Sequence, residues 1–258
     1  MDWQEKDGLK WLEAELPGAR AAFSTRLGGV SEGDFESLNL GILTDDNRDS
    51  VIENRRRLAG GLGREPESFV IGRQVHEIEV AEHEGPQDPP FFAEPGDGVP
   101  EVDGHVIFRG GDDQPEKLET EEDGVAGLVF VADCLPIVLS GPAGIAVLHC
   151  GWRGLAGGII ARGADAVQAE AAAVGPGIGP CCYEVGEEVL EAFENLEDVA
   201  DGRMLNLPKV ARQLLERADV EQIDASDLCT SCEAELFFSH RRDDGRTGRQ
   251  AGIGWIEA

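Results

Sequence analysis

Lysine is scarce in this sequence: only Lys6, Lys10, Lys117 and Lys209 are present. The basic residues number 22 against 51 acidic ones, for a net charge of −29. A surface of that sign repels phosphate backbones, so nucleic acids are not expected as partners. Net charge this far from zero is a lever used by halophiles, and salt relieves the self-repulsion because the Debye length falls to about 3 Å at 1 M. A salt-adapted cytoplasm is the expected setting. The sequence also lacks a long apolar run. Its longest, Val125 to Leu139, is interrupted by Asp133 and Pro136 and falls short of the roughly 18 residues a membrane span needs. The opening segment MDWQEKDGLK has neither a basic nor an apolar leader region, so no secretory signal is expected. Cysteine is too thin for a disulfide scaffold. Six in 258 residues fit reduced cytosolic thiols, some of them metal ligands. With 41% hydrophobic residues, no internal repeat and no Ser/Pro linker, one domain with a substantial core is expected.

What is present is a set of short segments. Residues 19 to 30, ARAAFSTRLGGV, have the pattern of a strand running into a Gly-Gly turn, and SLNLG at 37 to 41 is a second short segment. Asp49 to Leu62 has helical spacing, with Asp49 or Ser50 as its cap. Phe69 to Val80 alternates as a strand, His83 to Gly98 is loop-like, and Val102 to Phe108 is a short strand. Gly110 to Gly124 is an acidic surface excursion with the look of an insertion. Val125 to Leu139 is a buried strand or strand pair, SGPAG a turn, and Ile145 to Cys150 the returning strand. Helices are expected over Leu155 to Ala172, Glu187 to Phe193 and Asn206 to Ala218, and late strands over Leu236 to His240 and Ala251 to Ile256. Such irregular alternation points to an α+β domain with mixed sheets rather than a doubly wound one.

Cys134 and His149 flank the SGPAG turn. A hairpin centred on Pro142 and Ala143 pairs Pro136 with His149. Cys134 is then a diagonal neighbour about 7 Å away on the same face, within reach of a zinc ion bound by sulfur at about 2.3 Å and by nitrogen at about 2.1 Å. A register slip of one residue would separate the two. A buried thiol beside a hydrogen-bonded histidine is the plainer reading. His76, His83, His105 and His240 are the other histidines, and periodicity selects none of them as a third ligand. Three protein ligands with one open position make a catalytic rather than a structural zinc arrangement. Cys150 should point to the opposite strand face. Cys229-Thr230-Ser231-Cys232 is a CxxC without a second CxxC to complete a four-cysteine set, so a structural role is expected, with redox chemistry second. Packing is the expectation for Cys181 and Cys182.

Arg153, in GWRG, and Arg26, ahead of Gly-Gly, suit phosphate or oxyanion binding, because the guanidinium fork donates in pairs. A helix starting after Arg153 would add free N–H groups. Surface salt bridges are the plainer alternative for both arginines. Asp133 should face away from Cys134 yet stay close enough to orient a neighbouring group. Asn39 is a substrate contact or a turn residue, and Trp152 a packing residue or a base-stacking one. No glycine run has the frame of a phosphate loop or a dinucleotide fingerprint.

The blocks FSTRLGGVS, SLNLG, QVH, VDG, ADCLPIVL, LHCGWRG, GPGIGPCCYEVG, LNLPKVARQLL and FFSHRRDDGRTGRQ, running in order from Phe23 onward, together resemble the YfiH/laccase-domain family. The resemblance implies a four-layer α/β/β/α sandwich of mixed sheets. It implies a metal bound by the QVH histidine, the ADC cysteine and the histidine before GWRG, which map onto His76, Cys134 and His149. It implies phosphorolysis of adenosine, inosine, guanosine and methylthioadenosine to a base and ribose 1-phosphate, and adenosine deamination, with zinc as the ion. Cys134, Arg153 and Arg26 are then the residues expected to carry the chemistry, acting on purine nucleosides and phosphate. The older label of the family is a copper polyphenol oxidase or laccase. This chain departs from the family at Cys150, where alanine is usual, and at His105, in VDGHVIF where ADALVT is common.

Other activities compete. A copper oxidase shares the His-Cys-His ligand type, although five histidines are few for a multi-copper cluster. A cysteine hydrolase would use Cys134 as nucleophile and His149 as base. A binding protein that keeps the fold without activity is the fourth reading, and the intact ligands argue mildly against it.

Overall fold

The computed structural model describes residues 1–84, 91–92, 98–109 and 124–257. Two six-stranded mixed sheets form its centre. The first has the order β1 (Asp2–Lys6), β2 (Leu9–Leu16), β3 (Ala19–Ser24), β14 (Gln250–Ile256), β7 (Ala126–Val131), β4 (Phe69–Val70). The second has the order β13 (Gln222–Ala225), β10 (Ala171–Val174), β8 (Leu135–Gly141), β9 (Gly144–Cys150), β6 (Gly104–Phe108), β5 (Val80–His83). β11 (Ala200–Asp201) and β12 (Met204–Leu205) form a small separate ladder. β4 and β7 run parallel, as do β5 with β6 and β10 with β13; the other pairs are antiparallel.

Alternation along the strands builds the layers, since successive side chains face opposite ways. In β2, Leu12, Ala14 and Leu16 pack with Phe23, Val129, Val138 and Val147 between the sheets, whereas Leu9 and Trp11 face outward against Leu58 and Ala59 of helix α1 (Arg48–Leu62). In the second sheet Ile137, Leu139 and Leu148 face α2 (Trp152–Gly157), α3 (Ile159–Val167), α4 (Glu187–Glu191) and α5 (Leu207–Arg217). Helices therefore cover both outer faces, which gives the α/β/β/α sandwich. The two sheets approach closely at β14. A side chain on Gly252 would place its Cβ 2.3 Å from Cβ of Pro136, and one on Gly254 would sit 2.8 Å from Val138 and Val147. Among the described residues no helix is long and apolar enough to cross a membrane.

Several expected elements shift. Phe69 to Val80 is not one strand. It is interrupted after Val70, and His76 has a left-handed φ of 65° that a strand does not allow. Leu155 to Ala172 divides into α2 and α3 at Gly158, and Ala171 already belongs to β10. Leu236 to His240 forms no strand, and Phe237 N–H donates to the carbonyl of Glu233. SLNLG forms no strand; Asn39 is buried and joins Thr44, Asp46, Gly41 and Arg249 by side-chain hydrogen bonds, a turn-organising role. Helix α1 is capped by Asn47, which accepts from the amides of Asp49 and Ser50. The acidic excursion, apart from Gly124, and most of the 83–98 loop lie outside the described residues.

Candidate metal centre

The expected register is present: Pro136 pairs with His149 and Leu135 with Cys150. Pro136 faces Gly252 between the sheets, so His149 projects to that side, while Cys150 packs with Leu135 against the helices. Val125 to Leu139 is a strand pair. β7 belongs to one sheet and β8 to the other, and residues 132–134 make the crossing. Asp133 turns the chain there with φ 92°, a conformation that persists in a non-glycine residue only when its surroundings fix it. Thr230 Oγ1 donates to Asp133 Oδ1 at 2.6 Å, Arg241 N–H to Oδ2 at 2.7 Å, and Ile178 N–H to its carbonyl at 2.8 Å. Cys134 leaves this crossing beside His149.

His76 supplies the third donor. The ligand atoms of His76, Cys134 and His149 all lie within 4.8 Å of one another, and the two imidazoles meet edge to face at 4.7 Å. Neither Cys150 nor His105 joins the group. His105 lies inside the sandwich, 3.0 Å from the ring of His83, and burial pulls it down to about 3, so it is neutral.

Sequence reasoning missed the part played by Asp103, which is fully buried. Its Oδ1 is 2.8 Å from Nδ1 of His149, and its carboxylate accepts the amides of Val75, His76 and Glu77 at 3.1, 2.9 and 2.8 Å. One carboxylate thus orients one ligand and holds the left-handed backbone of another, as a carboxylate behind a metal-bound histidine does. Burial opposes ionisation of Asp103, but these bonds hold it below the usual carboxylate range. Its only advance signal was its place in the VDG block.

Packing disfavours the Cys134 thiolate, but His149 and His76 outweigh it through charge and hydrogen bonding and bring the thiol down to about 6. Burial likewise disfavours a charged His149, and the sulfur of Cys134 and the carboxylate of Asp103 hold it up to about 9. A side chain on Gly151 would stand 3.1 Å from Sγ of Cys134 and 3.4 Å from the ring of His76, so glycine leaves the three donors room to converge. Two nitrogens and a thiolate suit zinc, a borderline-soft ion.

The group opens into a cavity of about 520 Å³, within the roughly 300–1,000 Å³ range of small-molecule sites. Ile42, Leu43, Ile71, Phe130, Trp152, Ile178 and Tyr183 give it apolar walls, and Arg153, Arg241, Arg249 and His240 add polar groups. Arg153 lies in the first turn of α2, which begins at Trp152 rather than after Arg153, and stacks on the Trp152 ring at 4.4 Å. Burial lowers Arg249 from its ordinary value, against the pull of Cys134 and Asp133. Arg26 does not line this cavity. It donates to the carbonyls of Glu36 and Ala234 and lies 4.5 Å over Phe238, so among the expected arginines only Arg153 reaches the site. Arg241 and Arg249, neither of them expected to bind an anion, stand there too.

Cys181 and Cys182, expected as packing residues, stand beside Cys229 and Cys232, where a parallel bridge between Gly177 and Cys229 brings their segments together.

Residues 20–257 match the family model described as multi-copper polyphenol oxidoreductase laccase. The chain belongs to that family. Relatives in it carry a different activity in their names. The purine nucleoside phosphorylase YlmD of Geobacillus stearothermophilus is 36% identical, over 95% of this chain and 94% of its own. The purine nucleoside phosphorylase YfiH of Escherichia coli strain K12 is 37% identical, over 93% and 94%. The crystal structure of YlmD from Geobacillus stearothermophilus superposes with a TM-score of 0.83 at 34% identity, covering 99% of this chain and 98% of that one. The sandwich is therefore the family fold.

Proposed function

We propose that this chain is a zinc-dependent purine nucleoside phosphorylase, converting adenosine, inosine, guanosine or methylthioadenosine and phosphate to the free base and a ribose 1-phosphate, with adenosine deamination as a second activity. One observation carries the reading: His76, Cys134 and His149 converge on one side of an apolar cavity that is also lined by five arginines, Arg55, Arg73, Arg153, Arg241 and Arg249. The names of the full-length relatives supply the reaction class.

The cavity's apolar and aromatic walls suit a purine, and Trp152, Phe130 and Tyr183 offer ring faces to it. We assign phosphate binding to Arg153, Arg241 and Arg249, whose guanidinium forks can donate in pairs; Arg241 also donates to the carbonyls of Cys182 and Glu184, and Arg249 to those of Thr247 and Gly248. His76, Cys134 and His149 would hold the zinc ion, which would supply Lewis acidity to the cavity. Asp103 keeps His149 in one tautomer and orientation. The acidic composition supports a salt-adapted compartment as the working environment. We assign the whole chain to one such domain.

The test is product analysis. Protein of known metal content is incubated with adenosine, inosine and methylthioadenosine in molar KCl, with and without phosphate. Base release that requires phosphate is the expected result. Inosine formed from adenosine without base release would leave only the deaminase, and no product would remove both activities.

A second reading rests on the Cys134–His149–Asp103 alignment, which has the order of nucleophile, base and orienting carboxylate found in cysteine hydrolases. Turnover that survives full chelation would favour it. For a copper oxidase, the mononuclear ligand type is present, but His83 and His105 pair inside the sandwich and leave His240 as the remaining histidine at the cavity. Oxygen consumption by copper-loaded protein would favour that reading.

A further inference from the structure

Cys181, Cys182, Cys229 and Cys232 form a second group that shares no residue with the first, with all four sulfurs within 4.8 Å of one another. Sγ of Cys232 lies 3.4 Å from that of Cys181 and 3.5 Å from that of Cys182. A tetrahedral thiolate site with metal–sulfur bonds of about 2.3 Å has its sulfurs roughly 3.8 Å apart, so changes of about 1 Å or less in the separations bring these four to that spacing. A disulfide joins two sulfurs at about 2.05 Å. It gives no reason for Cys232 to stand equally near two thiols with a fourth in the same group, and all four are free.

The surroundings fit a thiolate-bound cation. The Gly179 amide donates to Sγ of Cys229 at 3.2 Å, as amides do around metal-bound sulfur. Four thiolates on a divalent ion leave a double negative charge, and two arginines flank it. Arg241 donates to the carbonyls of Cys182 and Glu184, and Arg242 to that of Thr230 within the CxxC. Cys181 and Cys232 are exposed, which leaves the site open to loading from solvent.

We propose that these four cysteines bind a zinc-class divalent cation in a closed, structural site. The ion would fasten the segment 175–186 to the segment 226–242. The first carries Ile178 and Tyr183 in the cavity wall, and the second carries His240 and Arg241. Thr230, between the two CxxC cysteines, donates to Asp133 at the crossing that delivers Cys134. The second ion thus braces the cavity without touching substrate.

The site is tested by metal analysis of protein purified under reducing conditions, and its first arm is independent of activity. The full chain should bind two equivalents of zinc. Cys134→Ala should keep one, and its cobalt-substituted form should show the intense ligand-field and sulfur-to-cobalt bands of a tetrathiolate. The double variant Cys229→Ser, Cys232→Ser should keep only the ion at the histidines and lose those bands. Should that variant fail to fold, zinc-loaded wild-type protein is treated with N-ethylmaleimide. The four thiols should resist until a chelator is added, and should react as zinc is released. A Cys134→Ala protein without metal, a Cys181–Cys232 disulfide in freshly purified protein, or four thiols that react freely at full zinc loading would overturn the proposal.

Discussion

The carboxylate of Asp103 and the imidazole of His149 lie 2.8 Å apart inside the sandwich, and the same carboxylate caps the backbone of the 75–77 turn. Asp103→Asn keeps the shape but removes the negative charge. Metal affinity at the His76–Cys134–His149 centre should fall by about 10–100-fold, the usual cost of losing such a partner. Competition with a chromophoric chelator measures this, and unchanged affinity would mean that the carboxylate serves only the fold.

Gly151→Ala adds a methyl group 3.1 Å from Sγ of Cys134. The sulfur must shift away from the histidines, so affinity for the metal should drop about tenfold, at the lower end for a perturbed site. The melting temperature of the metal-free protein should barely move, because the contact is at the centre and not in a hydrophobic cluster. Titration calorimetry beside a thermal melt separates the two effects.

Gly252→Val places a side chain where Cβ is already 2.3 Å from Pro136. The sheets must part or β14 must shift, at a cost of about 1–3 kcal/mol or more. Denaturant unfolding of the variant should show that loss, and an unchanged midpoint would mean that the sheets can separate freely at this edge.

Asp243 takes hydrogen bonds from Arg242 and Thr247. Burial opposes its ionisation, but these partners hold it below the ordinary carboxylate value. A depressed folded-state value means that the unfolded chain takes up the proton first, so its stabilisation is complete above the unfolded value of about 3.9 and is lost as pH falls through the folded value. Wild type should therefore exceed Asp243→Asn in stability at neutral pH, and the gap should close below about pH 4. Urea midpoints across that range measure the difference.

With a net charge of −29, the chain should melt at a higher temperature in molar KCl than at low ionic strength, because screening relieves like-charge repulsion. A melting temperature that does not rise with salt would remove the salt-adapted reading.

Local signals carried much of this fold. The SGPAG turn set the register that puts His149 opposite Pro136, and residue spacing located α1 and α5 closely, although Asn47 rather than Asp49 or Ser50 caps α1. Contacts between distant segments were not legible. His76 entered through resemblance, because its position depends on a left-handed turn held by Asp103, 27 residues further on. Arg249 and Asp103 look like ordinary surface charges in a chain with so many. The glycines of AGIGW look like weak strand residues until the opposing sheet is seen. Cys181 and Cys182 are adjacent in sequence, and no spacing rule joins them to a CxxC almost fifty residues away. The arginine ahead of Gly-Gly, Arg26, was drawn toward substrate by its neighbours in sequence, but its hydrogen bonds hold it to the 36 and 234 carbonyls.

β14 lies between β3 and β7, and it follows every other strand of that sheet in the chain. Strands β1 to β3 can form a meander early, yet they have no neighbour that joins them to β7 until β14 arrives. Arg249 reaches the cavity on the residue just before that strand. On the ribosome, then, the first sheet stays in two pieces and the cavity lacks Arg249 until β14 emerges. Long-range pairing of this kind is slow and leaves edges exposed while it waits.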